Sequence, residues 1–149
     1  MSIVGKRYAS SQMQNIWSAE TKVLKERELW IAVMRAQAKL GLDISSEVIA
    51  AYESVKTKID LSSIERREAE LKHDVKARIE EFNALAGHEA IHAGMTSRDL
   101  TENIEALQIR NGLEIVHDKV VTLLARLAER ATQYADQPIA GRSHNVPAQ

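Results

Sequence analysis

The residues with chemical potential fall in a few short stretches. His88–Gly94 reads HEAIHAG and begins with H-E-x-x-H. On a helix this spacing sets two histidines on one face for zinc, with the glutamate as general base. A catalytic zinc needs a third protein ligand. The extended motif places Gly and His where Met95 and Arg98 stand, and Glu114 fits a downstream carboxylate ligand only loosely. The motif is also enclosed by Gly87 and Gly94, which leaves no room for a long active-site helix. It reads as a short surface turn carrying two histidines, and no metal is assigned. Thr96-Ser97 follows at once. Two hydroxyls at a helix start are N-caps, and they also add donors where backbone N–H groups and the helix dipole favour a carboxylate or phosphate. His73-Asp74 reads as a cap at a helix bend. His144, beside Arg142 and Ser143 in GRSHNVPAQ, is a loop histidine whose ordinary pKa suits proton transfer. Arg7-Tyr8 has the composition of a phosphate-binding pair. Trp17 and Trp30 read as core.

The elements that must position these residues are helical. Met1 to Trp17 has no clear period and reads as an ordered or partly ordered arm. Ser18 is a good N-cap with Glu20 in the next turn, and Val23, Trp30, Val33, Met34, Gln37 and Leu40 then share one helical face until Gly41. Ser45 and Ser46 can cap a second helix with Val48, Ile49, Tyr52 and Val55 at helical spacing. Residues 59–87 read as a third, with Ser62 and Glu65 as a capping box and Asp74 restarting the helix after a bend. Val75, Ile79, Phe82 and Ala86 form its later stripe, which Gly87 ends.

Thr96, Ser97 and Asp99 open a very long pattern. Leu100, Ile104, Leu107, Leu113, Val116, Val120, Leu123, Leu127, Ala131 and Tyr134 carry it to about Asp136, interrupted only by Gly112. A pattern longer than about 25 residues points to a bundle or coiled-coil helix. Such a helix cannot bury its stripe alone and calls for partner helices. QPIAGRSHNVPAQ reads as a turn-rich loop without a closing element, so the chain is expected to be cut off rather than finished.

Composition sets the outer bounds. The 149 residues are 44% hydrophobic and 28% charged, enough for one domain with a real core. A net charge of −1 provides no global field toward nucleic acid or an anionic membrane. With no cysteine there are no disulfides or Cys-based zinc sites, which is consistent with a cytoplasmic protein. The N-terminus lacks the apolar core of a signal peptide, and no apolar run approaches the roughly 20 residues of a membrane helix. Six glycines, two prolines and one phenylalanine argue against a β-rich fold. The expected class is all-α.

Several blocks together resemble a known family. RYAS (Arg7–Ser10), MQNIWS (Met13–Ser18) and LWIAVMRAQAKLG (Leu29–Gly41) resemble the opening of the adenylosuccinate lyases, within the aspartase/fumarase superfamily. KHDVKA (Lys72–Ala77), IHAGMTSRDLTEN (Ile91–Asn103) and GRSHNVPAQ (Gly141–Gln149) resemble the next three blocks in order and spacing. The Thr-Ser and Ser-His blocks alone indicate the superfamily; the RYAS opening and HDV point to the purine enzymes. The H-E-x-x-H match then becomes accidental, because His92 belongs to an H-x-G-x-T-S-x-D block that excludes His88.

The resemblance implies β-elimination of fumarate from adenylosuccinate, giving AMP, and from the succinyl-carboxamide intermediate SAICAR. It implies no cofactor, no nucleic-acid or membrane partner, and a homotetramer for the full-length enzyme. It implies that His144 is the general acid for the leaving nitrogen, with His73 a second catalytic residue supporting it. Thr96 and Ser97 would bind carboxylate, Arg7 and Tyr8 phosphate, His73 and Asp74 would position the substrate, and His92 would be a further pocket residue. Lys72 would contribute where many relatives have arginine, a substitution that weakens bidentate binding. The implied organisation is an N-terminal helical domain over residues 1–97, followed over 98–149 by the first long helix of a helix-bundle domain. The general base of the family is a serine in a glycine-rich loop well beyond this length, so the chain is expected to be an inactive fragment by itself. Two alternatives stand beside this: a sister lyase of the argininosuccinate lyase or carboxymuconate cycloisomerase type, and a non-catalytic helical oligomerisation module. The RYAS arm argues against the first, and the polar TSRD and GRSHN clusters against the second.

Overall fold

A computed structural model describes residues 3–148 and is all-α apart from one small hairpin. Among the described residues there are seven helices: α1 (Ile3–Tyr8), α2 (Ser11–Ile16), α3 (Ala19–Lys39), α4 (Ser46–Val55), α5 (Leu61–Leu71), α6 (Asp74–Ala86) and α7 (Ser97–Gln133). Strands β1 (Gly141–Ser143) and β2 (Val146–Ala148) pair antiparallel, with Arg142 opposite Pro147. No helix among the described residues is long and apolar enough to cross a membrane. The chain divides into two compact units, Met1–Gly112 and Leu113–Gln149.

In the first unit, each helix from α2 to α6 opens on a side chain that accepts from a backbone N–H of the first turn. Ser10, Ser18, Ser45, Asp60 and His73 do this for α2 to α6 in order. The cap at Asp60 corrects the Ser62–Glu65 capping box. Its carboxylate accepts from Ser63 N at 2.9 Å, so α5 begins at Leu61 and Ser62 lies inside it. An aspartate is as good a cap as serine, and it comes first along the chain. The N-terminal arm is also better formed than its weak period indicates, because Ser10 caps α2. The stretch 59–87 is two helices: Lys72 takes the left-handed conformation (φ +54°) and His73 is extended, which breaks the hydrogen-bond ladder. Gly87 ends α6 at φ +72°, where a glycine carries no Cβ penalty.

The main core gathers Trp30, Ile31 and Met34 of α3, Tyr52 and Val55 of α4, Val75 and Phe82 of α6, Ile91, and Leu100 of α7. Trp30 stacks on Phe82 with centroids 6.3 Å apart, and Tyr52 meets the same ring edge-on at 4.9 Å. Val23, Ile64 and Ala77 form a smaller cluster. The α3 stripe departs from the expected face at its end, since Leu40 is exposed at the C-cap. Trp17 corrects the core reading: it is 42% exposed, at the C-cap of α2. Its Nε1 lies 3.9 Å from where a Cβ on Gly112 would sit, and Met13 Sδ lies 3.6 Å from it. The one glycine in the long pattern therefore faces the α2 segment.

In the second unit, none of the α7 residues beyond Gly112 is buried. Leu113, Val116, Val120, Leu123, Leu127 and Tyr134 stay between 48% and 63% exposed. The helix ends at Gln133 rather than about Asp136. The terminal stretch, expected as a loop, is the β1–β2 hairpin. His144 (φ +49°) and Asn145 (φ +66°) form its two-residue turn, both in the left-handed region that tight hairpins require.

Candidate active site

Two helix starts in the first unit carry the expected residues. At α7, Thr96 and Asp99 cap each other: Thr96 N–H donates to Asp99 Oδ2 at 2.7 Å, and Asp99 N–H donates to Thr96 Oγ1 at 3.4 Å. Thr96 is thus the cap, and Ser97 is the first residue of the helix. The next backbone N–H groups, on Ser97 and Arg98, begin the helix without an intrahelical acceptor and lie at the positive end of its dipole. At α6, His73 Nδ1 accepts from Lys76 N–H at 3.2 Å, so the neutral imidazole carries its proton on Nε2. Asp74 follows. Its Oδ2 receives a hydrogen bond from Arg78 at 2.9 Å, one turn on, and its Oδ1 is 3.9 Å from His73 Nδ1. Partial burial pushes the Asp74 carboxyl upward, but the Arg78 hydrogen bond and charge outweigh it and hold the group below its ordinary range.

His92 lies between these helix starts in the chain, in a turn the sequence marks with Gly94. Residues 88–96 form no helix, so His88 and His92 do not share a helical face and the zinc-protease geometry is absent. Among the described residues, no group of three His, Asp or Glu is placed to hold a metal ion. The turn is stapled from below. Tyr52 Oη accepts from Ala90 N–H and lies 2.6 Å from both Asn83 Oδ1 and the His88 carbonyl, one of which takes its proton. Gln37 Nε2 donates to the Ala93 carbonyl at 2.9 Å. His92 has φ +66°, and its Nδ1 accepts from the Trp30 indole at 3.0 Å. Burial holds the His92 imidazole below its ordinary range. The charge of Asp99 pulls it upward and that of His73 pushes it further down. The structure therefore brings both His73 and Asp99, in the first turn of α7, within electrostatic reach of His92.

The remaining expected residues are placed differently. Arg7 and Tyr8 end α1, a helix with no buried residue, and Tyr8 is 79% exposed. Lys72 is the exposed left-handed cap of α5. His144 belongs to the hairpin turn of the second unit, exposed beside Arg142 and Ser143.

Sequence reading missed the groups that hold these residues in place. Arg78 was detectable as the i+4 partner of Asp74. Behind it, Arg78 Nε sits 2.7 Å from Oε2 of Glu26, which is fully buried. Burial raises the Glu26 carboxyl against the opposing charges of Arg78 and Lys22. Glu26 and Arg27 fill the gap in the α3 stripe between Val23 and Trp30, a position that itself predicts burial.

Helix-terminal donors at α7, a histidine that burial holds below its ordinary range and a carboxylate braced by arginine are thus carried by one helical unit. The family model described as Lyase matches residues 2–149, and the chain belongs to that family. Among curated relatives, an adenylosuccinate lyase of Archaeoglobus fulgidus is 32% identical, over 95% of this chain and 32% of its own length. One from Schistosoma mansoni is 35% identical, over 97% of this chain and 30% of its own. An N-acetyl-S-(2-succino)cysteine lyase of Enterococcus italicus is 29% identical, over 95% and 32%. The crystal structure of a fumarate lyase from Mesorhizobium sp. BNC1 superposes with a TM-score of 0.76 at 26% identity, covering 95% of this chain and 35% of that one. The chain spans about a third of the length of the curated relatives it matches.

Proposed function

We propose that this chain is the part of a lyase that binds the succinyl group of adenylosuccinate, or of SAICAR, for β-elimination of fumarate. The supporting observation is the convergence of His73, His92 and the Thr96–Ser97 helix start within one unit. In the reaction a proton leaves the carbon beside a carboxylate and the C–N bond breaks. The electron pair goes to nitrogen, which is protonated, giving AMP and fumarate from adenylosuccinate. Proton and electron-pair movement alone requires no redox cofactor. Thr96 and Ser97 hold a carboxylate at the α7 dipole, where charge develops as the proton leaves. His92 lines the same pocket, while His73 and the Arg78-braced Asp74 position the substrate. Arg7 and Tyr8 receive the phosphate, Lys72 adds a further substrate contact, and His144 is the general acid. The serine that the family resemblance assigns as base has no counterpart among these residues, so the assignment gives this chain binding and acid roles only. The domain boundary at residues 97 and 98 and a homotetrameric full-length enzyme belong to the same reading.

A second reading keeps the succinyl group and changes what it leaves. It is favoured by the relative that acts on N-acetyl-S-(2-succino)cysteine, in which sulfur replaces nitrogen. A chimaera in which this chain replaces the matched third of the Archaeoglobus fulgidus enzyme separates the two. Fumarate release from adenylosuccinate, abolished by His144→Ala, is the expected result. A chimaera that folds and assembles yet cleaves only N-acetyl-S-(2-succino)cysteine selects the second reading, and one that cleaves neither sinks both.

A further inference from the structure

We propose that Trp30 is a positioning residue: it holds His92 as the neutral imidazole protonated on Nε2, making Nε2–H the donor that His92 offers a substrate carboxylate. The second half of this statement rests on the lyase reading of the pocket; the first half stands on geometry alone.

Trp30 is 1% exposed, and an indole N–H can only donate. A buried tryptophan needs an acceptor for that group, and here the acceptor is His92 Nδ1 at 3.0 Å. The rings stand edge to face, with centroids 6.0 Å apart and planes at 84°. A donor aimed at Nδ1 leaves no room for a proton there, so the neutral ring must carry it on Nε2. Protonating the ring would set one N–H against another. Nε2 lies across the ring from Nδ1 and so faces away from Trp30 and the core behind it.

The backbone supports the same orientation. His92 takes a left-handed φ of +66°, uncommon for a residue with a Cβ, and Gln37 fixes the next carbonyl. The charged groups acting on His92 come from the other two elements: Asp99 at the start of α7 and His73 at the start of α6. From α3 the neutral Trp30 meets the His92 ring, and the neutral Gln37 bonds the Ala93 carbonyl beside it. Phenylalanine would fill most of the Trp30 volume and keep the stack on Phe82, but it cannot direct a proton.

The test is nuclear magnetic resonance on the ¹⁵N-labelled chain, with His92 signals assigned by their loss in His92→Gln. In the wild type we expect a nitrogen–nitrogen coupling across the Trp30 Nε1–His92 Nδ1 hydrogen bond, with His92 protonated on Nε2. Absence of that coupling, or a proton on Nδ1, overturns the proposal and requires no variant to fold. Trp30→Phe, where its amide spectrum stays dispersed, should raise the His92 titration toward the ordinary imidazole range. It should also weaken fumarate binding about fivefold, the scale of one neutral hydrogen bond. An unchanged His92 titration in that variant also overturns it. Fumarate added to the wild type should move the His92 Nε2 signals. If the coupling is present and fumarate leaves them unmoved, the lyase reading of the pocket fails while the hold of Trp30 on His92 stands.

Discussion

Replacing Glu81 with glutamine isolates the charge in the most buried ion pair among the described residues. Arg27 is 0% exposed and Glu81 3%. One guanidinium nitrogen donates to the carbonyls of Val55, Lys56 and Lys58 at 3.1, 2.9 and 3.1 Å, and the other donates to Glu81 Oε2. The second Glu81 oxygen accepts from Asp60 N–H at 3.3 Å, and Phe82 presents its ring face 4.5 Å from the guanidinium carbon. Removing one partner of such a pair leaves an uncompensated buried charge, typically about 3–5 kcal/mol. Three carbonyl dipoles, a ring face and the surviving amide oxygen still serve Arg27, so Glu81→Gln should fall at the lower end, about 3 kcal/mol. Against a total stability of about 5–15 kcal/mol this is a large fraction, and it corresponds to a Tm drop of roughly 6–12 °C. Urea unfolding of wild type, Glu81→Gln, Arg27→Met and the double variant closes a double-mutant cycle. A coupling of about 2 kcal/mol or more is expected. If Glu81→Gln loses less than about 1 kcal/mol with an unchanged denaturant slope, the carbonyls alone hold Arg27 and the ion-pair reasoning is refuted.

Three further outcomes follow from the fold. Gly112→Ala should stabilise by about 0.5–1 kcal/mol, because a Cβ there meets Met13 only at 3.6 Å while the helix loses a glycine; a lower urea midpoint contradicts this. Burial raises the Glu26 carboxyl above its ordinary 4.5. Its contribution to stability is therefore full below that pH and is lost as pH rises through the raised folded value. Glu26→Gln should flatten that segment of the stability profile, and a wild-type-minus-variant difference independent of pH is the contrary result. His73→Ala should lose about 1 kcal/mol with the α6 cap, whereas His73→Asn should keep the cap and, in the chimaera, lose fumarate release; full activity in a well-folded His73→Asn removes His73 from the chemistry.

Periodicity was enough to read α3, α4, the late stripe of α6 and the length of α7, because each buries or aligns one apolar face. Caps with a single candidate, such as Ser18, were readable too. Where two candidates competed, as Asp60 and Ser62 did, position along the chain decided, and composition carries no position. The break at Lys72–His73 was visible only as a bend, since a left-handed lysine has no propensity signal. The hairpin at His144–Asn145 was hidden because its strands are three residues each, too short for an alternating pattern. For the candidate site, motif blocks singled out His73, Asp74, His92, Thr96 and Ser97 as candidates. The residues that hold them came from elsewhere: Trp30 read as core, and Glu26, Arg27 and Arg78 belong to no motif block. Their role depends on which helix packs opposite, and no single-helix pattern contains that.

The buried charges give that packing a purpose. Neighbouring residues of α3 pair with residues of α6 in opposite senses: Glu26 with Arg78, and Arg27 with Glu81. Apolar contacts between two helices tolerate sliding, since one aliphatic side chain replaces another at small loss. Two reciprocal ion pairs do not, because a shift by one turn would leave four charges unpaired in the interior. The register of α6 on α3 is thereby fixed in the middle of α6, one to two turns from Asp74. Arg78 passes that constraint on directly, holding Glu26 with one nitrogen and Asp74 with another. Trp30, one turn along α3 from Glu26 and Arg27, reaches His92. One helix thus braces two parts of the candidate site, the α6 start through charge and the His92 turn through a hydrogen bond. A substitution on α3 that never touches substrate is then expected to disturb both parts together.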